Sequence, residues 1–272
     1  MFRTNAVRLF FVLAFAIGAV SCRGVVLENR KECYADILLE GQGSLPADFN
    51  KDFDVVTFVD ARRYDHWNFS ISDFYAGRAK INCIKLYSTG ITILSGWPED
   101  ERHKTASLLS IPLGEQAPYA FGYSCRIDMS FYDESAVSVK FTSLSLPLTV
   151  KTLGRGSSSG VISFTSDCDG YGWPDLLPHE GPFSCSEQIS EGMTVYVPRV
   201  NYVHPDLQVS ILDESGFYTC DIGWSLRENG YDFQQYVLSP ISMTVNYSGG
   251  YPYSVNLASE RVVITLPLIK QP

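Results

Sequence analysis

Apolar residues along the chain fall in short runs separated by Gly, Pro, Asn and Asp. Examples are Val55-Val56-Thr57-Phe58-Val59, Ile91-Thr92-Ile93-Leu94 and Met193-Thr194-Val195-Tyr196-Val197. Runs of this length between turn formers predict strands. No long run carries apolar residues at helical spacing, so the pattern predicts an all-β chain. One part of the pattern occurs twice. Cys125–Val150 and Cys220–Val245 align without a gap, with Ile127 on Ile222, Ser130 on Ser225, Thr149 on Thr244 and Val150 on Val245. Each copy runs from its cysteine through an alternating segment to a polar centre, Asp133-Glu134-Ser135 or Glu228-Asn229-Gly230, and returns through β-branched and aromatic residues. That predicts a hairpin in each. Between the copies, Thr152–Gly160 is rich in Gly and Ser and reads as a linker; the alternative is a long loop inside one larger sandwich. The expected division is a leader at 1–22, a first domain at 25–151, the linker at 152–160, a second domain at 161–250 and a tail at 251–272.

The first residues read as a secretory signal. Arg3 and Arg8 precede an apolar run from Leu9 to Val20, too short to span a bilayer comfortably, and Ala19 and Ser21 suit a cut before Cys22. A cut after Gly24, a lipoprotein box at Cys22 and a buried N-terminal helix are the alternatives. No later stretch offers about 20 apolar residues, so no membrane anchor is expected. The mature chain is expected outside the cell, where cysteines pair. Without Cys22, Cys33, Cys83, Cys125, Cys168, Cys185 and Cys220 remain, and six thiols allow fifteen pairings. If Cys22 is retained, an odd thiol permits a covalent homodimer. Sequons at Asn68-Phe69-Ser70 and Asn246-Tyr247-Ser248 predict glycosylation of Asn68 and Asn246.

Composition narrows the function. Hydrophobic residues are 45% and charged residues 19%, which excludes a disordered chain. A net charge of −9 repels phosphate backbones and argues against nucleic-acid binding. The 16 Tyr and 16 Phe suit strands. His66, His103, His179 and His204 are scattered without metal-ligand spacing. Asp167-Cys168-Asp169-Gly170 lacks the later ligands of a calcium loop, and Gly154–Gly160 lacks the Lys of a phosphate cradle. Neither catalysis nor a cofactor is expected.

Asp213, Gly216, Tyr218 and Cys220 in Leu207-Gln-Val-Ser-Ile-Leu-Asp-Glu-Ser-Gly-Phe-Tyr-Thr-Cys220 resemble the E–F corner of the immunoglobulin superfamily. Tyr123 and Cys125 repeat part of it, though the Asp is missing. The resemblance implies two tandem immunoglobulin-like β-sandwiches, with bridges Cys83–Cys125 and Cys185–Cys220. Against it stand the short Cys185–Cys220 spacing and the lack of a core Trp in the second copy, where Tyr196 would substitute; Trp97 is the candidate in the first. Cys168, Leu177-Pro178, Gly181 and Cys185 are similar to the ligand-binding modules of interleukin-1-receptor-like proteins. With a leader and no anchor, that implies a secreted viral decoy receptor for a host cytokine. Arg62, Arg63, Tyr64 and Trp67, with His66 among them, and Tyr171 and Trp173 near the linker, are candidate ligand contacts of interface type. The acidic balance would favour a basic ligand. Two alternatives remain: an adhesion or structural ectodomain, and a single large sandwich binding a cytokine or chemokine, as in another family of poxviral immunomodulators.

Overall fold

The computed structural model describes residues 32–40, 45–47, 49–59, 62–84, 88–129, 134–156 and 159–272. The expected leader at 1–22 and Cys22 lie outside them. Among the described residues two hydrophobic cores are present, each between two sheets. The first lies between the three-stranded sheet β4 (Lys80–Ile84), β1 (Glu32–Leu39), β8 (Glu134–Val139) and the five-stranded sheet β3 (Arg62–Phe69), β2 (Phe53–Val59), β5 (Ser88–Ser95), β7 (Phe121–Asp128), β9 (Thr142–Ser143). On β1 the alternation Cys33, Ala35, Ile37 turns one face inward. Phe53, Phe74 and Phe141 close the core, Phe74 coming from a short helix α1 (Ile71–Tyr75). The central runs on β2 and β5 are buried without alternation because both faces of that sheet are covered there.

The second core lies between two larger sheets. One orders β12 (Pro178–Gln188), β11 (Gly160–Gly172), β14 (Leu207–Asp213), β15 (Gly216–Asp221), β19 (Ile269–Lys270), with β6 (Leu108–Ser110) also paired to β11. The other orders β13 (Met193–Pro198), β10 (Ser145–Leu153), β16 (Ile241–Ser248), β17 (Tyr251–Ala258), β18 (Val263–Pro267). Leu146, Leu148 and Val150 of β10 meet Ile162 and Phe164 of β11 and Val209 and Ile211 of β14 in this core. Trp97, Leu109, Ile111, Ala117 and Ala120 join them from the N-terminal half. The Gly/Ser-rich stretch 152–160 therefore connects two strands that bury residues in the same core. The pairs β1–β8 and β10–β16 are parallel.

All-β is what the apolar pattern implied, but neither aligned copy is a hairpin. After Cys125 the chain passes from β7 to β8, which pairs in the opposite sheet. After Cys220 it turns into a helix, α2 (Gly223–Glu228). Ile222 and Leu226 stand one helical turn apart there and both reach the core. The backbone of Gly223 passes so close to the Pro205 carbonyl that a Cβ would sit 1.9 Å from it. Thr149-Val150 and Thr244-Val245 lie on β10 and β16, neighbouring strands of one sheet.

The expected Cys185–Cys220 disulfide does not form. Cys185, Phe164, Val209 and Cys220 are register partners across β12, β11, β14 and β15. Both cysteines thus sit in one sheet, three strand spacings or about 14 Å apart, twice the reach of a bridge. Cys83 and Cys125 lie in facing sheets of the first core. Cys83, Cys125, Cys168, Cys185 and Cys220 are thiols. Burial pushes the Cys185 thiol up to about 12 and that of Cys220 up to about 11. The corner motif instead closes the tight β14–β15 hairpin. Asp213 accepts from the Ser215 N–H at 2.8 Å, Gly216 takes φ +136°, and the Tyr218 hydroxyl donates back to the Ser215 carbonyl at 3.4 Å. The motif makes a turn, but one that joins adjacent strands of one sheet.

Candidate functional site

β2 and β3 form an edge hairpin whose outward face carries three register pairs, Asp54–Asn68, Val56–His66 and Phe58–Arg63. A bulge at Tyr64 separates Asp65 from Arg63 in the pairing and turns Arg63 to the same side as His66. Opposite stand the segment Glu99–Ala106 and Trp173, at the far end of β11. Together they enclose a cleft of about 560 Å³ between the two halves of the chain. It is lined by Val56, Phe58, Ala106 and Trp173 among apolar groups, and by Arg63, His66, Glu99, Lys104 and Thr105.

Each wall is held in place. Trp173 sets its ring edge against Phe58 at 5.8 Å, and its backbone N–H donates to the Ser107 carbonyl at 2.9 Å. The next carbonyl, of Pro174, accepts from the Thr92 hydroxyl of β5 at 2.7 Å. Lys104 places its ammonium 4.7 Å from the Trp173 ring centre and 3.8 Å from Glu99. Asp54 Oδ1 accepts from Asn68 at 3.0 Å and lies 3.2 Å from His66 Nε2. Burial acts to raise the Asp54 carboxyl, but the hydrogen bonds with Asn68 and His66, together with the Lys104 charge, outweigh it and leave the group below its ordinary value.

The Glu99–Ala106 wall is pinned by His103, whose buried ring has Nδ1 2.8 Å from Asp100 and Nε2 3.1 Å from Glu115. The hydrogen bond from His103 holds the Asp100 carboxyl below its usual range. The His103 carbonyl accepts from Trp97 Nε1 and the Ser110 N–H, each at 2.8 Å. These bonds tie the wall to the second core. A second hollow of about 330 Å³, lined by Tyr119, Phe121, Pro147, Tyr196 and Pro240 among others, has no charged group among the described residues of its lining.

Of the residues singled out in the sequence, Arg63, His66 and Trp173 meet in the cleft. Arg62 is exposed opposite Val59, and Tyr64 is the 48% exposed bulge residue. Trp67 turns to the other face and packs on the first core. Tyr171 is 1% exposed inside the second core and touches no solvent-facing site. Asn246 is also buried, its amide bonded to Ser254 Oγ at 3.0 Å, which leaves no room for a glycan. Asn68 is exposed but donates its amide to Asp54. The cleft residues not anticipated are Val56, Phe58, Glu99, Lys104, Thr105 and Ala106. The charged run Glu99–Lys104 after a buried Trp97 was the one signal in the sequence that marked this segment. Among the described residues, no cluster of His, Cys, Asp and Glu is placed to hold a metal ion, and no helix is long and apolar enough to cross a membrane.

No protein-family profile matches the chain, and no curated protein matches it. Solved structures do. A candidate adhesin of Bacteroides ovatus superposes with a TM-score of 0.59 at 11% identity, covering 87% of this chain and 95% of that one. The fimbrial anchor protein Mfa2 of Porphyromonas gingivalis superposes with a TM-score of 0.58 at 8% identity, covering 86% and 99%. A candidate polysaccharide-binding protein of Bacteroides thetaiotaomicron gives 0.57 at 8%, covering 85% and 98%. These matches overturn the likeness to immunoglobulin-type cytokine receptors and viral decoys, and with it the cytokine partner. The fold is an all-β, multi-sheet sandwich of the kind found in bacterial adhesins.

Proposed function

We propose that the chain is a non-catalytic, extracellular subunit of a cell-surface adhesive or fimbrial structure. The observation that carries this reading is the fold match to an adhesin and a fimbrial anchor along nearly the whole length of both partners. A domain shared by chance with a larger machine would cover only part of the neighbour. In this reading the chain is two β-sandwiches in tandem. They divide near Phe141–Ser145, and residues 97–120 of the N-terminal half cross to the second. The Gly/Ser-rich stretch is then an inter-sheet loop of the second sandwich.

The test is immunogold labelling of intact source cells, combined with mechanical shearing. Labelling of unpermeabilised cells and recovery of the chain with sheared surface filaments support the proposal. Labelling only after permeabilisation, or recovery solely as a free protein in the medium, contradicts it.

A further inference from the structure

We propose that the cleft between the β2–β3 hairpin and the Glu99–Ala106 wall binds a neutral saccharide, seated against Trp173 and Phe58 and hydrogen-bonded by Arg63, His66, Glu99 and Lys104. The inference rests on the adhesive-subunit reading for its biological sense, but its evidence is the cleft itself.

Size comes first. A cleft of about 560 Å³ falls within the ordinary range for small-molecule sites and exceeds what one or two waters need. Its apolar side is made by Val56, Phe58, Ala106 and the Trp173 ring. A sugar ring offers C–H groups to such a surface while its hydroxyls point outward in the ring plane. The polar side must then supply both donors and acceptors. Arg63, Lys104 and Thr105 donate; Glu99 accepts, with the Asp54 carboxylate behind it.

The charges exclude the other common ligands. A phosphate or sulfate entering toward Arg63 and Lys104 meets the Glu99 and Asp54 carboxylates. An organic cation meets Arg63 and Lys104. A purely apolar molecule strips water from all four charges and returns no hydrogen bond. A neutral, hydroxyl-rich ligand satisfies both signs at once. The Lys104 ammonium over the indole is a contact weak enough at an open site for a stacking ligand to displace.

The walls are also fixed before any ligand arrives. Thr92 and the Ser107 carbonyl hold the Trp173 turn, and His103 holds the loop that carries Glu99 and Lys104. A site built this way loses little freedom on binding.

The experiment applies the purified full chain to an array of neutral, sialylated and sulfated oligosaccharides. Bound oligosaccharides are then titrated in solution, following tryptophan fluorescence. Trp173→Ala, Arg63→Ala and Glu99→Gln are compared, each with its melting temperature. The expected result is binding to neutral oligosaccharides, weakened about tenfold or more by Arg63→Ala and by Glu99→Gln at unchanged melting temperature. These two exposed groups decide the matter if Trp173→Ala fails to fold. No binding on the array, binding only to sulfated or sialylated members, or affinity unchanged in both rim variants overturns the proposal. A surface-located chain without saccharide affinity overturns this inference and leaves the adhesive-subunit reading standing. An intracellular chain that binds saccharides does the reverse.

Discussion

Tyr171 has the composition of a binding residue and the position of a structural one, and replacing it separates the two. Its hydroxyl donates to the Leu144 carbonyl and accepts the Arg199 N–H at 2.8 Å, while its ring meets Trp97 edge-on at 5.8 Å. Burial pushes the phenol well above its ordinary value, so it stays protonated and donating at any pH the fold survives. Tyr171→Phe removes one donor and one acceptor. The two backbone groups keep each other, because the Arg199 N–H also reaches the Leu144 carbonyl at 3.1 Å. The loss is therefore the smaller part of an unsatisfied pair, about 1–2 kcal/mol. At about 2–4 °C per kcal/mol for a chain of this size, the melting temperature falls by about 2–8 °C. Tyr171→Ala also empties the ring volume beside Trp97, and about 3–5 kcal/mol is expected. Urea unfolding followed by tryptophan fluorescence measures both, since Trp97 reports from the site. A Tyr171→Phe protein as stable as the parent, or an equal loss from both variants, would show that the hydroxyl does not hold Leu144 and Arg199 together.

Other outcomes follow from the same packing. Gly96 has φ +81°, and a Cβ there would lie 2.3 Å from the Tyr119 carbonyl; Gly96→Ala should cost about 2 kcal/mol or more in urea unfolding. Alkylation of the unreduced, denatured protein followed by peptide mass spectrometry should find Cys185 and Cys220 both modified, and no peptide linking them. Asp54 has a folded-state pKa below its unfolded value near 3.8, so its stabilisation is complete above that value and is lost as pH falls through the lower one. Asp54→Asn should therefore destabilise the chain at pH 7, and the gap from the parent should close as melting is repeated below about pH 4. His103→Ala removes the group between Asp100 and Glu115 and should free the cleft wall, raising proteolytic cleavage within Glu99–Ala106 while the first core melts as before.

What the sequence disclosed was local. Strand-length apolar runs at Val55–Val59, Ile91–Leu94 and Met193–Val197 are strands, and the Asp213–Gly216 turn closes with the chemistry its residues suggest. These features need only near neighbours. The pairing of strands was not legible. The same Tyr-x-Cys pattern serves a strand whether its cysteine faces across two sheets or lies three strands from its supposed partner within one. Nor does alternation reveal that β10 leaves the first half to pair with β13 and β16. The aligned copies show the limit well. Ile222 and Leu226 suit a helix turn as readily as a strand over so short a span, and tertiary packing around Gly223 decides. In the cleft, Arg63 and Trp173 were visible as interface-type residues. Their meeting depends on the second half folding back over β2, which no spacing encodes. Tyr171 lies on β11 and Trp173 in the turn just after it, and an aromatic's identity does not say which of the two is buried.

The C-terminal half is no self-sufficient module: its core is completed by β6 and β10, by Trp97 and by β17 and β18. The most direct test is to express residues 161–250 alone and compare their unfolding with that of the full chain. The fragment lacks Trp97, Leu109, Leu146, Leu148, Val150, Val255 and Leu257, all buried in the intact core. It is predicted to show no cooperative thermal transition and a collapsed amide NMR spectrum. A sharp transition with well-dispersed amide resonances from 161–250 by itself would contradict the interleaved architecture and everything built on it.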